Sequence, residues 1–182
     1  IINPVPKKFQ YRGLLYVGLM IASDKEDDVA VVEFNCRWGD PETQSILPLL
    51  EGDFLEYLLW TDGGNVEFPL LAYHAAKLIP YRRGAVVNVV IAAKGYPAAF
   101  LKEIPLVFPK SKNNDLHILG AGVREENGVY FSTGGRIANV VAYAPTKEKA
   151  RAAVYEYLRE FEIANAAQRE HLYWREDIAA GV

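Results

Sequence analysis

The sequence predicts an α+β chain in two parts: antiparallel strands with a helix, then a small antiparallel sheet domain with a packed helix. Three observations carry this expectation. Two apolar, β-branched runs, "YRGLLYVGLMIAS" and "VAVVEFNCRW", flank the charged stretch Asp24-Lys25-Glu26-Asp27-Asp28, which reads as an antiparallel pair joined by a loop. From Ala85 onward strand-like runs alternate with turn signals, among them Asn127-Gly128, a strong two-residue hairpin signal. Toward the carboxy end Ala150, Ala153, Val154, Tyr157, Leu158 and Phe161 recur at the three-and-four spacing of a core-facing helical stripe.

Taken in order, residues 1–12 are irregular and punctuated by proline. The two strands follow, and Gly39-Asp40-Pro41 then makes a turn into a helix. Asp40 is a good N-cap there, and Pro41 suits the first helical position, where its missing N–H costs nothing. The helix is expected to run to about Trp60, to be interrupted at Pro48 and to stop at Asp62-Gly63-Gly64. The first part therefore covers 1–62, and a connection with several Gly and Pro covers 63–84. The second part, 85–182, opens with the buried strand "AVVNVVIAA" and a turn in "KGYPAAF". It continues through "HILGAGVREENGVYFSTGG" and the strand "RIANVVAYA", and closes with a helix over 146–161 capped by Thr146. There is no internal repeat and no low-complexity segment.

With 182 residues, 51% of them hydrophobic, the chain can bury one good core or two small ones. A net charge of −3 gives no electrostatic reason to expect nucleic acid or an anionic membrane as partner. Cys36 is the single cysteine, so no internal disulfide forms, and no apolar stretch is long enough to span a bilayer. The expected location is the cytosol. The chain begins Ile1-Ile2-Asn3-Pro4 without an initiator Met and reads as a piece of something longer.

The chemistry concentrates in residues 32–42. Alternation along a strand sets Glu33, Asn35 and Arg37 on one face, with Phe34, Cys36 and Trp38 on the other. A carboxylate and a carboxamide two residues apart suit Mg²⁺, which takes oxygen ligands, keeps some waters and shares substrate phosphates. Arg37 could then neutralise a phosphate. On pattern alone, Glu33 and Asn35 fit equally well a half-exposed strand facing water. Asp40 and Pro41 are explained by capping. A helix start already carrying Asp40 and Glu42 disfavours an anion and suits an amine. In "STGGRI", Gly134 and Gly135 are most economically a turn with positive-φ glycines, while Ser132, Thr133 and Arg136 offer donors to a phosphate. Arg175 and Asp177 read as an ion pair packing the tail, and Tyr81-Arg82-Arg83 as a solvated loop. His74, His117 and His171 have no metal-ligand spacing, and Cys36, on the apolar face, is no nucleophile.

The run "VVEFNCRWGDPETQ", preceded by "YRGLLYVGLM" and followed by "LPLLEGDFLEYL", resembles the phosphoribosylamine–glycine ligases (glycinamide ribonucleotide synthetases) of the ATP-grasp superfamily. The likeness continues through "VVNVVIAAKGYP", "STGGRIANVVAYAPTKEKARAAVYEYL" and "YWREDI", and it involves the carboxy-terminal portion of such an enzyme. Trp38 stands where the family usually has Phe. The resemblance implies that 1–62 is the carboxy-terminal part of an ATP-grasp domain and 85–182 a small β-rich domain. It implies Mg²⁺, or Mn²⁺ in its place, held by Glu33 and Asn35 under the triphosphate of ATP. Arg37 would join them in binding the nucleotide. Arg37, Asp40 and Glu42 become the catalytic candidates, and Gly39, Asp40, Glu42, Ser132 and Arg136 the substrate-binding ones. The partners implied are ATP, glycine, 5-phosphoribosylamine and the missing amino-terminal part of the same enzyme. The reaction implied yields glycinamide ribonucleotide, ADP and phosphate, and the piece alone is expected to be inactive. Another ATP-grasp carboxylate–amine ligase, or a non-catalytic ATP-grasp remnant acting as a binding module, remains the alternative.

Overall fold

The computed structural model describes residues 13–22, 28–61 and 80–181. The expectations for 1–12, the acidic linker at 24–27, the stop at Asp62-Gly63-Gly64 and most of the 63–84 connection lie outside the described residues. Two compact units emerge: 13–22, 28–43, 50–61 and 80–82 in the first, and 44–49 and 83–181 in the second.

In the first unit β1 (Tyr16–Ile21) pairs antiparallel with β2 (Val29–Asn35). Tyr16 lies opposite Asn35, Val17 opposite Phe34 and Gly18 opposite Glu33. The register then shifts, so that Leu19 faces Val31 and Val32 is the extra residue. The bulge precedes Glu33, which leaves the stretch from Glu33 to Asn35 regular. Asn35 ends the strand, so the alternation expected to reach Trp38 stops short of Cys36 and Arg37. The apolar face is also less covered than expected: Phe34 and Cys36 are exposed, and only Trp38 is half-buried, its ring 6.0 Å from that of Phe54. A two-stranded hairpin buries little by itself.

The helix after β2 starts later than its sequence suggests. Asp40 and Pro41 lie in a turn with a cis peptide bond between them, and α1 (Thr43–Ile46) begins beyond it. The Thr43 N–H donates to the Gly39 carbonyl (3.1 Å), as does the Thr43 hydroxyl, so the turn closes on Gly39 and Asp40 is not the N-cap. Pro48 interrupts the helical stretch as expected, sitting in a 3₁₀ turn (Leu47–Leu49). Helix α2 (Phe54–Thr61) restarts with Asp53 Oδ1 accepting from the Leu55 N–H at 2.8 Å.

The second unit is built on a four-stranded antiparallel sheet in the order β5 (Leu116–Gly120), β8 (Arg136–Ala144), β3 (Ala85–Ala93), β9 (Leu172–Tyr173). A smaller sheet orders β4 (Pro105–Leu106), β7 (Val129–Ser132), β6 (Val123–Glu126). Asn127 (φ 53°) and Gly128 (φ 82°) form the β6–β7 hairpin turn, both in the left-handed region that a type I′ turn requires. Helix α3 (Lys147–Ala164) packs on β8 and β3 through Ala150, Val154, Tyr157, Leu158 and Phe161. Thr146 Oγ1 accepts from the Lys149 N–H at 3.3 Å, the cap read from the sequence. The helix runs three residues past the expected end because Asn165 finishes it. That side chain, 1% exposed, receives the Val107 N–H and donates to the carbonyls of Val107 and Phe161, each at 2.8 Å. Neither β4 nor β9, two residues each, is legible in the sequence.

Candidate functional site

Glu33 and Asn35 stand on the regular end of β2 with side chains on one face. Gly18, opposite Glu33, leaves room for that side chain: a Cβ there would lie 3.2 Å from Glu33 Cγ. Asn35 is half-buried, and its buried Nδ2 has no hydrogen-bond partner among the described residues. The Glu33 carboxylate and the Asn35 Oδ1 are oxygen ligands of the kind a hard cation takes, and the uncommitted Asn35 Nδ2 is a hydrogen-bond donor suited to a phosphate oxygen beside that cation. Among the described residues no group of three or more His, Cys, Asp or Glu is placed to hold a metal.

Across the hairpin from Asn35, the Tyr16 hydroxyl donates to Glu42 Oε1 at 3.2 Å. The Glu42 side chain folds back over buried Gly39, where a Cβ would meet Glu42 Oε2 at 2.6 Å and Tyr16 Cε2 at 3.1 Å. Desolvation raises the Tyr16 hydroxyl above its ordinary value. The charge of Glu42, its hydrogen bond and the charge of Glu33 act in the same direction, with Arg37 opposing. The phenol thus senses three of the charges singled out in the sequence. Tyr16 is the site residue that sequence reasoning missed, because its pairing with Asn35 depends on register. Arg37 is exposed beyond the strand end, with Nη1 donating to the Trp38 carbonyl at 2.8 Å, and Asp40 is exposed in the turn.

Ser132 and Arg136 belong to the second unit. Ser132 is fully buried and its Oγ accepts from the Ile104 N–H at 3.0 Å, so its hydroxyl is used inside the fold, not offered to a ligand. Arg136, half-buried, opens β8 opposite Ala92. Neither Gly134 nor Gly135 takes the positive φ expected of it; both are small because neighbours press on them, Gly122 against Gly134 and the Tyr96 ring against Gly135. Arg175 and Asp177 form a two-pronged exposed pair (Nε–Oδ1 2.9 Å, Nη2–Oδ2 2.6 Å), which lowers the Asp177 carboxyl through the guanidinium hydrogen bonds. His117 is exposed, His171 sits 3.6 Å from Glu170, and His74 lies outside the described residues.

Comparison with known proteins bears on the same residues. A family profile described as "Phosphoribosylglycinamide synthetase, C domain" matches residues 86–181, and one described as "Phosphoribosylglycinamide synthetase, ATP-grasp (A) domain" matches residues 2–43. A phosphoribosylamine–glycine ligase of Leptospira interrogans serogroup Icterohaemorrhagiae is 39% identical over 169 residues, covering 93% of this chain and 37% of the relative. The chain thus spans little more than a third of the length of such relatives. The crystal structure of phosphoribosylamine–glycine ligase from Thermotoga maritima matches with a TM-score of 0.61 at 33% identity, covering 91% of this chain and 35% of that one. The biotin carboxylase domain of a thermophilic 2-oxoglutarate carboxylase, at 15% identity and a TM-score of 0.59 over 86% of this chain and 34% of that one, shares the fold alone.

Proposed function

The chain belongs to the phosphoribosylglycinamide synthetase family, and from that premise we propose that it forms one wall of an ATP-dependent ligase site. The ligase joins glycine to 5-phosphoribosylamine in de novo purine biosynthesis. A glycine carboxylate oxygen attacks the γ-phosphorus of ATP and ADP leaves. The phosphoribosylamine nitrogen then attacks the acyl carbon of glycyl phosphate, and phosphate leaves as the amide forms. Such transfers need positioning and charge neutralisation more than a protein nucleophile. Mg²⁺, held by Glu33 and Asn35, would neutralise the triphosphate. Arg37 binds a phosphate or the acyl phosphate. Asp40 and Glu42 hold the amine by charge-assisted hydrogen bonds, with the Gly39 turn beneath Glu42 and the Tyr16 hydroxyl fixing its carboxylate. Arg136 donates to a substrate or nucleotide phosphate.

The observation that carries this reading is the regular Glu33–Asn35 end of β2, free of the bulge at Val32 and flanked by the Tyr16–Glu42 hydrogen bond. The test replaces Glu33 by Gln and Asn35 by Leu in the complete ligase and titrates Mg-ATP. Each change should weaken the nucleotide by tenfold or more, on the order of 1.4 kcal/mol, and unaltered Mg-ATP binding in both would overturn the reading. Glu42→Gln should raise the KM for phosphoribosylamine. Among the described residues no helix is long and apolar enough to cross a membrane. From the proposed role in purine biosynthesis we place the enzyme in the cytosol.

A further inference from the structure

At one end of the main sheet of the second unit, three glycine-containing turns meet: Gly95-Tyr96-Pro97 after β3, Ala121-Gly122 between β5 and β6, and Gly134-Gly135 before β8. They are joined atom to atom. The Gly135 carbonyl accepts from the Ala93 N–H at 2.8 Å, the Arg136 carbonyl from the Gly122 N–H at 2.8 Å, and the Gly122 carbonyl from the Thr133 N–H at 2.8 Å. A Cβ on Gly122 would stand 2.7 Å from the Arg136 carbonyl oxygen and from Gly134 Cα. One side chain crosses between these turns. The Tyr96 ring lies directly on Gly135, where a Cβ would stand 2.6 Å from Tyr96 Cε2, 2.8 Å from Cγ and closer still to Cδ2.

Next to this contact the ladder between β3 and β8 changes register: Ile91 faces Ala138, and Ala92 faces Arg136, so Ile137 is an extra residue. A bulge of this kind re-aims the side chain beside it. Arg136 therefore leaves β8 from a backbone fixed on its inner side by Gly122 and just ahead by the ring over Gly135. Tyr96 is itself held in place. Its N–H donates to the Ala93 carbonyl at 3.1 Å, its ring meets that of Phe100 edge-on at 5.8 Å, and Gly95 takes a φ of 97° to make the turn.

We propose that Tyr96 is a positioning residue of the ligase: its ring, seated on Gly135, fixes the 133–136 turn so that Arg136 is aimed at the phosphate it binds. This rests on the role given above to Arg136. The phosphate is that of phosphoribosylamine or of ATP, two sources of one chemistry, so both KM values are measured.

In the ligase with its amino-terminal part supplied, Arg136→Ala should raise one of the two KM values and thereby identify the source. Tyr96→Ala and, from the other side of the contact, Gly135→Ala should raise that same KM about tenfold with kcat within about twofold, a displacement effect of the size small misplacements produce. Tyr96→Phe, which keeps the ring, should stay within about twofold of wild type. The double variant Tyr96→Ala/Arg136→Ala should bind no worse than Arg136→Ala alone, since the two changes remove one interaction. Thermal unfolding of each variant reports folding separately. A melting loss in Tyr96→Ala without a change in that KM would overturn the proposal, as would effects of Tyr96→Ala and Arg136→Ala that multiply. If Arg136→Ala changes neither KM, the Arg136 role falls and this inference with it, whereas the Mg-ATP titration of Glu33 and Asn35 stands on its own.

Discussion

Gly39 is a glycine because two side chains close over it, and the spacing to Glu42 decides what a larger residue does. The atom nearest to an added Cβ is the carboxylate tip Oε2, which can swing away, so Gly39→Ala should fold yet displace Glu42. In the complete ligase this variant should raise the KM for phosphoribosylamine about tenfold with a normal circular dichroism spectrum. The Tyr16 hydroxyl gives a pH signature. Its folded-state value is raised above 10.0, so above that pH the folded chain keeps a proton that the unfolded chain has lost. The stability it contributes is complete below pH 10 and is lost as pH rises through the folded value. A tyrosinate titration at 295 nm should show several tyrosines ionising late, Tyr155 and Tyr157 among them because burial raises them as well, and Tyr16→Phe should remove one tyrosine from that late group and leave the others. The identities of Glu33, Asn35 and Glu42 as candidates were legible because their spacing is local. Tyr16 was not, since its place beside Asn35 is set by pairing across a loop, and Ser132 misled because a hydroxyl in a glycine-rich turn looks the same whether it faces a ligand or a backbone N–H.

Elements with a strong local code formed where the sequence put them. The Asn127-Gly128 hairpin, the Thr146 cap and the stripe from Ala150 to Phe161 each depend on residues within a few positions of one another. The helix end depended on something distant. Asn165 closes α3 by bonding Val107, 58 residues away in sequence, and no local pattern announces that. Removing its side chain takes the partner from the part-buried Val107 N–H and carbonyl, while the Phe161 carbonyl keeps the Asn165 N–H at 3.0 Å, so Asn165→Ala should destabilise the second unit by about 2 kcal/mol in urea unfolding. The tail is stapled differently. Arg175 and Asp177 pair in the open, Tyr155 donates to the Arg175 carbonyl at 2.8 Å, and Arg151 donates to the carbonyls of Glu176 and Ile178. Because the Asp177 carboxyl lies below its usual range, the contribution of the pair is present above the unfolded value and lost as pH falls through the folded one. The protection factors of the amides at 175–178, corrected for the intrinsic slowing of exchange in acid, should fall on acidification before those of β8 do.

The molecule as a whole is uneven in how well its parts are covered. The second unit has a closed core of large side chains, whereas the β1–β2 hairpin leaves Ile21 67% and Val32 63% exposed, together with Leu19, Met20 and Phe34. Met20 alternates with Leu19 and Ile21, so the apolar surface stands bare on both sides of the ribbon, and bare surface of this kind marks contact with another part of a protein. We expect the 182-residue chain alone to bind a hydrophobic dye and to release no ADP in the presence of glycine and phosphoribosylamine, and both properties to reverse when the amino-terminal part is supplied. The family was legible from motifs, but the bare hairpin was not, because alternation foretells which residues share a face and not whether anything lies against it. Cys36 shows the same failure on a smaller scale: read as inward-facing, it is exposed one residue beyond Asn35. As the sole sulfhydryl in the sequence, it is a ready-made attachment point. A maleimide fluorophore fixed there, with this chain joined to an amino-terminal part stripped of its own thiols, would sit next in sequence to Asn35 and turn arrival of the proposed nucleotide into an optical signal.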